Sequence, residues 1–268
     1  MLGGGWCDVC AVDNVFTMID NMIWKTALTK IGSDGRETIR GYDLQELIAK
    51  KSFVEVIFLL LKGVLPTDSE TTMLNALFTA AIDHGVGAPS ATVARTVAST
   101  GNSLHTALSA GVLALGELHG GAIEGASKFF IESKNVADLK DYLQELKNKK
   151  IRVSGFGHKV LTRDLRCDSL LSLAKQTGFY KDYCSLAIEV EKTLGEISSK
   201  KLPLNIDGAM AAIILDMGFD AELAKGFFLI ARVPGLVAHI YEETKNREGL
   251  RRIDETAIAY EGEEQRSL

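Results

Sequence analysis

Two helix-start signals constrain the fold of this chain most strongly. Glu55 follows Ser52 by three residues and Glu70 follows Thr67 by three, and each pair is a capping box that opens an apolar run. Gly63 ends the first run, as a glycine at a helix C-terminus does. Further segments with helical spacing follow, among them NVADLKDYLQELKNKK and DGAMAAIILDMGF. The sequence therefore predicts a chain made mainly of helices.

One short segment departs from this pattern. In WKTALTKIGSDGRETIRGYD, threonine and isoleucine alternate around Ser33-Asp34-Gly35, which predicts a short β-hairpin. In VASTGNSLHTALSAGVLALGELHGG, small and apolar residues occupy nearly every side, so we expect one buried helix there. The predicted fold class is all-α, with one small N-terminal hairpin.

The composition changes once along the chain. Residues from about 128 to 200 are rich in lysine, and apolar helices return at FDAELAKGFFLIARVPGLVAHIYEE. This change predicts a small domain, residues 125–227, inserted into a large helical domain formed by residues 1–124 and 228–268. The cleft between these domains is the expected ligand site.

Charge and hydropathy exclude several classes of protein. The net charge of −5 argues against a general nucleic-acid-binding surface, which is strongly basic. The runs SFVEVIFLLLKGVL and GFFLIARVPGLVAHIY are interrupted by Glu55, Lys62 and Arg232, so no membrane span is predicted. The segment MLGGGWCDVC lacks the basic and apolar regions of a signal peptide, and we expect a cytoplasmic protein.

The cysteines and histidines do not form a metal-site pattern. Cys7 and Cys10 make a lone C-x-x-C, and no second Cys/His pair follows at zinc-finger spacing. No H-E-x-x-H motif occurs. We expect no bound metal ion. For Cys7 and Cys10, an incidental pair, an N-terminal disulfide and an adventitious metal site all stay open.

Three histidines lie beside glycines at expected bends: His84 in IDHGVGAPS, His119 in ELHGGAIEG and His158 in SGFGHKVLTRDLR. A histidine that interacts with a helix dipole before a glycine cap is a purely structural explanation for His84 and His119. His105 and His239 are expected to be packing residues within helices. Glycine also lets backbone approach a ligand closely, so the three glycine-flanked histidines are candidate functional residues.

Asp207 opens an apolar helix in LPLNIDGAMAAIILD. A routine helix N-cap is one explanation for it. Apolar neighbours such as Ile206 would also shift the pKa of this carboxyl by desolvation, which suits a base that acts on a carbon acid. Arg166, Arg232 and Arg252 are candidates for holding carboxylates through paired hydrogen bonds.

Five segments, in the same order along the chain, resemble the citrate synthase superfamily. They span roughly residues 38–255 and are IRGYDLQELIAKKSFVEVIFLLLKGVLPT, ELHGGAIEG, GFGHKV with RDLR, LNIDG, and ARVPGLVAHIYEE. The chain is much shorter than a usual citrate synthase. It resembles most the short, stand-alone citryl-CoA lyases and the citrate-cleaving module of ATP-citrate lyase. Leu165 stands where the D-P-R pattern of the family has proline, which leaves the orientation of Arg166 open.

The resemblance implies an enzyme that reversibly cleaves citryl-CoA to acetyl-CoA and oxaloacetate through an acetyl-CoA enol or enolate. His158 would accept the proton of the tertiary hydroxyl group. His119 would stabilise the enolate oxygen, and Asp207 would protonate the methylene carbon. The implied fold is that of citrate synthase, with a large and a small helical domain.

The resemblance also implies how substrate is held. His84, Arg166 and Arg232 would bind the carboxylates. Arg252 would reach the site across the interface of a homodimer or higher homo-oligomer. Lys159 and Arg163 would contact phosphates of coenzyme A, which is a thioester substrate here and not a permanently bound cofactor.

Two alternatives stay open. A citrate synthase or 2-methylcitrate synthase of the tricarboxylic acid cycle and related pathways would use the same residue types, but would hydrolyse the thioester. A non-catalytic subunit would bind coenzyme A or citrate beside a partner that activates citrate. A citryl-CoA synthetase is the partner to expect for a lyase.

Overall fold

A computed structural model of the chain describes residues 23–157, 164–246 and 249–268. The chain divides into two compact units, Met1–Leu65 and Pro66–Leu268. The predicted boundaries at residues 124/125 and 227/228 both fall inside the second unit, and that division stays a prediction. Five residues that carried predictions lie outside the described residues: Cys7, Cys10, His158, Lys159 and Arg163.

The N-terminal unit contains a small antiparallel sheet and two helices. In the described residues its elements are β1 (Thr29–Ile31), β2 (Glu37–Ile39), β3 (Tyr42–Asp43), α1 (Leu44–Lys50) and α2 (Phe53–Lys62). Thr29 pairs with Ile39, which confirms the predicted hairpin, and Ile39 pairs in turn with Tyr42 of a third strand. The capping box of Ser52 and Glu55 is present at the start of α2.

The larger unit contains nine α-helices within the residues that the structure describes. They are α3 (Asp68–Ala81), α4 (Pro89–Ser99), α5 (Leu104–Leu113), α6 (Ala122–Ser133), α7 (Leu139–Asn148), α8 (Leu165–Thr177), α9 (Asp182–Ile197), α10 (Ile206–Asp216) and α11 (Ala224–Asn246). Thr67 and Glu70 form the predicted capping box of α3. The all-α prediction is therefore confirmed.

Helix α10 is buried along its whole length, because residues such as Met210, Ile213 and Ile214 face neighbouring helices on every side. It packs against α6, α8 and α9. Its first turn lies at the candidate site described below. A helix that is apolar all round is fixed by its neighbours, so its N-terminus is held firmly.

Helix α11 is the second central element, and it packs against α3, α4, α5 and α6. By length and composition alone, the segment Ala221–Asn246 would be able to cross a membrane. In the structure it buries Arg232 and Glu243, and Glu243 forms an ion pair with Arg95 of α4. These buried charges and four neighbouring helices characterise a core helix.

One helix prediction is wrong. Residues 97–121 do not form a single buried helix, because α4 ends at Ser99 and α5 runs only from Leu104 to Leu113. Gly101 adopts a φ of 86° between the two helices, a conformation that ends a helix. His105 lies in the first turn of α5 and is exposed, so it is not the packing residue that the sequence predicted.

Candidate active site

A cavity of about 190 Å³ in the larger unit collects most of the predicted site residues. It is lined by His84, Leu118, His119, Gly120, Ala122, Arg166, Asn205, Ile206, Asp207, Phe228 and Arg232. Arg252 is not among them, and it lies exposed in the C-terminal segment. The lining residues come from both sides of the predicted domain boundaries.

His119 sits in a tight turn between α5 and α6. Gly116 and His119 exchange two backbone hydrogen bonds, of 2.9 and 3.1 Å. The structural explanation from sequence, a histidine at a helix C-terminus, is therefore wrong for His119. Its ring instead meets the start of α4, where the backbone N–H of Ser90 donates to Nε2 at 3.2 Å and the Ser90 hydroxyl lies 2.9 Å from the same nitrogen.

This contact determines which ring nitrogen of His119 carries the proton. Because Nε2 accepts from a backbone N–H, the neutral ring carries its proton on Nδ1. Burial lowers the pKa of His119, and the positive charges of Arg232 and His84 lower it further. His119 is thus a neutral hydrogen-bond donor at neutral pH, which is the form that stabilises a developing oxyanion.

Asp207 is not the N-cap of α10. Asn205 holds that position, and its side-chain oxygen accepts from the backbone N–H groups of Asp207 and Gly208 at 3.1 and 3.2 Å. The carboxyl group of Asp207 is therefore not used for capping and lines the cavity. Burial raises its pKa, whereas Arg166 and Arg232 act in the opposite direction.

The segment before His158 is anchored beside Asp207. The amide of Asn205 donates to the carbonyl oxygen of Gly157 at 3.0 Å, and Phe156 pairs with Leu204 in an antiparallel bridge. A β-carbon on Gly155 or on Gly208 would collide with the other residue's backbone. Glycine is required at both positions, because only glycine permits so close a backbone approach.

Arg232 is almost fully buried and points its guanidinium into the cavity. Its Nε donates to the carbonyl oxygen of Ala81 at 3.0 Å, and the group lies 4.9 Å from the centre of the Phe228 ring. Its Nη1 atom is buried and has no hydrogen-bond partner among the described residues. Burial lowers the pKa of Arg232, and an unpaired buried donor of this kind is satisfied by an anionic ligand.

Arg166 is oriented by a bidentate ion pair. Its Nε and Nη2 atoms donate to the two carboxylate oxygens of Asp164 at 3.0 and 2.8 Å, and Asp164 also caps the start of α8. Leu165, which stands where the family has proline, occupies the first position of α8. Proline is favoured there but is not required, and α8 begins at this residue with leucine in its place.

His84 follows the end of α3, one residue before Gly85 with a φ of 76°. It is exposed at the rim of the cavity and lies close enough to His119 to lower that residue's pKa. Its placement at a glycine-marked helix end agrees with the sequence. Unlike the buried Arg232, it is accessible to a ligand that enters from solvent.

Three residues of the site were missed by the sequence analysis. Ser90 orients His119, Asn205 caps α10, and Phe228 packs against Arg232. Asn205 was visible as the residue two positions before Asp207, where an N-cap asparagine is favoured. Ser90 and Phe228 carry no comparable local signal, because their contacts join residues far apart in the chain.

A second cavity, of about 480 Å³, is lined in part by residues 151–153, 156 and 157. Apolar side chains such as Leu143, Leu194 and Leu202 form part of its wall. Its cationic residues are Lys147, Lys150, Arg152, Lys200 and Lys201. Phe156 and Gly157 line it as well, and Gly157 is in turn bonded to Asn205 of the first cavity. An apolar wall with several cations suits a ligand that combines a flat ring with phosphates.

The described residues form an all-α protein with a cavity that brings a carboxyl group, two histidines and two arginines together. Among the described residues, no group of histidine, cysteine or acidic side chains is arranged to hold a metal ion. The family profile "Citrate synthase, C-terminal domain" matches residues 18–76 and 68–253. The chain therefore belongs to the citrate synthase family.

Individual relatives agree with this assignment. Citryl-CoA lyase from Hydrogenobacter thermophilus has a similar structure, with a TM-score of 0.86 and 44% identity over 92% of this chain and 98% of that one. Citrate synthase 2 of Bacillus subtilis is 33% identical over 197 residues, which are 71% of this chain and 52% of that protein. The chain thus spans about half the length of that relative.

A third relative shares the fold at lower identity. ATP citrate lyase of Methanosaeta concilii, solved in complex with (3S)-citryl-CoA, has a TM-score of 0.79 and 21% identity. The match covers 99% of this chain and 47% of that one. The citrate-synthase-like fold predicted from the sequence is therefore confirmed.

Proposed function

We propose that this chain catalyses the reversible cleavage of citryl-CoA to acetyl-CoA and oxaloacetate. The observation that carries the proposal is the convergence of Asp207, a neutral His119 and the guanidinium of Arg232 on one cavity. The similarity to a citryl-CoA lyase of nearly the same length, 44% identical, supports a lyase within the family.

The cationic side of the cavity binds the carboxylates of the four-carbon unit. Arg232 contributes its unpaired Nη1, and Arg166 contributes donors that remain after its pairing with Asp164. His84 lies at the rim and completes this group. A buried guanidinium gains most from a carboxylate, because the alternative is an unsatisfied donor.

His119 stabilises the thioester oxygen while the carbon–carbon bond breaks. The electrons of that bond pass to the acetyl-CoA fragment, and negative charge develops on its oxygen. The Nδ1–H group of His119 donates to this oxygen, and Ser90 holds the ring in the required orientation. One such preorganised donor lowers the barrier by about 3 kcal/mol.

Two proton transfers complete the reaction. His158 accepts the proton of the tertiary hydroxyl group, which becomes the ketone of oxaloacetate. Asp207 gives a proton to the methylene carbon of the enolate, which becomes the methyl group of acetyl-CoA. In the condensation direction the Asp207 carboxylate removes that proton instead. A raised pKa suits both roles, because it makes the acid form available and strengthens the base.

Coenzyme A extends from the first cavity to the second. The anchored residues Phe156 and Gly157 contact the second cavity, so the thioester end would lie at Asp207 and the nucleotide end among the lysines. We propose that Lys200 and Lys201 contact its phosphates, together with Lys159 and Arg163. We also propose a cytoplasmic homo-oligomer, supplied with citryl-CoA by a separate synthetase.

The test is a product assay with purified chain and (3S)-citryl-CoA. We expect acetyl-CoA and oxaloacetate, detected by chromatography and by reduction of oxaloacetate with malate dehydrogenase, without release of free thiol. Rapid release of free coenzyme A would instead identify a citrate synthase or 2-methylcitrate synthase. Tight binding of citryl-CoA without any turnover would identify a non-catalytic subunit.

A further inference from the structure

One face of α11 contacts three consecutive residues at the end of α3. Arg232 donates to the carbonyl oxygen of Ala81, as described above. Gly235, three positions later, lies so close to Ile82 that a β-carbon would collide with its carbonyl oxygen. His239, one turn further, places Nε2 2.9 Å from Oδ1 of Asp83. The next residue of the segment is His84, which lines the cavity.

The carboxylate of Asp83 also fixes the backbone on both sides of the His84 Cα atom. Its Oδ2 atom accepts from the N–H of Gly85 at 3.0 Å. Burial raises the pKa of Asp83, but its interactions with the backbone N–H groups of Gly85 and His84 and with His239 outweigh burial and hold the pKa below its usual range. Asp83 therefore joins His239 to the peptide groups that set the position of His84.

We propose that His239 is a positioning residue, which acts through Asp83 to hold His84 in the carboxylate-binding cavity. This inference deepens the proposed function, because it assigns a role to a histidine outside the cavity. The side chain of His239 is 12% exposed and that of Asp83 is 41% exposed, so the histidine is held within the helix packing while the carboxylate stays partly open to water.

The ring nitrogens of His239 agree with this role. Nε2 faces a carboxylate oxygen and must carry a proton to bond with it. Nδ1 is buried and has no hydrogen-bond partner among the described residues. The neutral tautomer with the proton on Nε2 is favoured, because only that tautomer donates to the carboxylate. A glutamine amide can donate from the same place, whereas leucine cannot.

The first experiment follows His84 directly and does not depend on catalysis. The chain has five histidines, so their ring C–H signals are few enough to resolve by carbon–proton NMR. The His84→Ala variant assigns the His84 signal. We expect that signal to shift or broaden in His239→Leu and to keep its position in His239→Gln. An unchanged His84 signal in His239→Leu would overturn the proposal.

The second experiment measures kinetics in the condensation direction. We expect His239→Leu to raise the KM for oxaloacetate about tenfold, the worth of one hydrogen bond to a carboxylate, with the KM for acetyl-CoA unchanged. His239→Gln should restore most of the affinity. Tyr241→Leu, at an exposed position of the same helix, is the matched control.

The two experiments separate this inference from the proposed function. If the unmodified chain has no turnover, the proposed function fails, and the NMR result alone decides the role of His239. If the unmodified chain is active and His239→Leu changes kcat and both KM values equally, or changes none of them, the positioning role is contradicted.

Discussion

At the scale of single residues, the reactive groups of the site do not cap helices, because neighbouring polar residues form the structural hydrogen bonds. Asn205 caps α10, so the neighbouring Asp207 keeps its carboxyl for the cavity. Ser90 supplies a hydrogen bond that leaves Nδ1 of His119 as the donor. In both pairs a small polar residue forms the structural hydrogen bond, and the reactive group remains available to a ligand.

The first residue-scale prediction concerns Asp207→Asn. Turnover should fall by about 10³-fold or more, because the amide can neither accept nor deliver the proton. Stability should rise at neutral pH. Because the pKa of Asp207 is raised, the folded state binds the proton more tightly than the unfolded state, and ionisation destabilises the native protein.

The pH dependence checks the sign of this effect. The protonated carboxyl of Asp207 contributes to the stability of the folded chain. This contribution is lost as pH rises from about 3.9, the pKa of aspartate in the unfolded chain, through the raised pKa in the folded chain. The gain in melting temperature of Asp207→Asn should therefore be present at pH 7 and absent near pH 3. Asp182→Asn, at an exposed aspartate, is the control. Normal turnover in Asp207→Asn would remove the assigned role.

The second residue-scale prediction concerns Ser90→Ala. Loss of the hydroxyl should lower kcat about tenfold, because the His119 ring is then held by the backbone N–H of residue 90 alone. The KM for oxaloacetate should stay the same. Ser127→Ala is the matched control, because that hydroxyl is equally buried and bonds only to a helix carbonyl. A change in KM without a change in kcat would contradict the role.

At the scale of elements, α11 connects the site to the C-terminal segment. Glu243 lies near its end with a side chain only 2% exposed, between two arginines. Its oxygens accept from Nε of Arg95 at 2.6 Å and from Nε and Nη2 of Arg251 at 2.7 and 3.0 Å. These bonds attach the segment that begins at Gly249 to both α11 and α4.

The element-scale prediction is that Glu243→Gln destabilises the chain by about 3 kcal/mol, because it leaves the buried Arg95 without its nearest charge partner. The pKa of Glu243 is lowered in the folded state, so its contribution is present above the unfolded pKa and is lost as pH falls through the folded one. Denaturant unfolding at pH 7 and at pH 3 measures this difference. Glu242→Gln removes the more exposed ion pair of the same Arg95, whose Nη1 lies 3.0 Å from Oε2 of Glu242, and should cost much less.

The sequence predicted those elements whose signals are local. The capping boxes at Ser52 and Thr67 each lie within four residues, and both helices begin where expected. The break between α4 and α5 was missed, although the small polar residues on both sides of Gly101, STGNS, are typical of a turn. The sequence predicted one site for five of its candidate residues, and all five line one cavity: His84, His119, Arg166, Asp207 and Arg232.

What the sequence did not predict depends on contacts between distant residues. Ser90 meets His119 across 29 positions, and Arg232 meets Ala81 across 151. No periodicity or spacing encodes such a pair, because the fold alone brings its two members together. The pairing of Arg166 with Asp164 is local, but the replacement of the family's proline by Leu165 left the orientation of Arg166 open.

At the scale of the whole molecule, the remaining question is the role of Arg252. It is exposed, and the neighbouring Arg251 is held by Glu243 and by a backbone hydrogen bond of 3.0 Å to the Ser99 hydroxyl. The segment is therefore fixed one residue before Arg252. We propose that Arg252 completes the carboxylate site of a second copy of the chain, which requires a homodimer or a higher homo-oligomer.

Complementation between two inactive variants tests this role. Asp207→Asn lacks the acid–base group, and Arg252→Ala should lose affinity for oxaloacetate. When the two are unfolded together and refolded, half of the dimers are mixed, and each mixed dimer has one complete site if Arg252 acts on its partner. We expect activity to return to about a quarter of that of the unmodified chain. No recovery above the two separate variants, with mixed dimers confirmed by native mass spectrometry, would show that Arg252 does not act in trans.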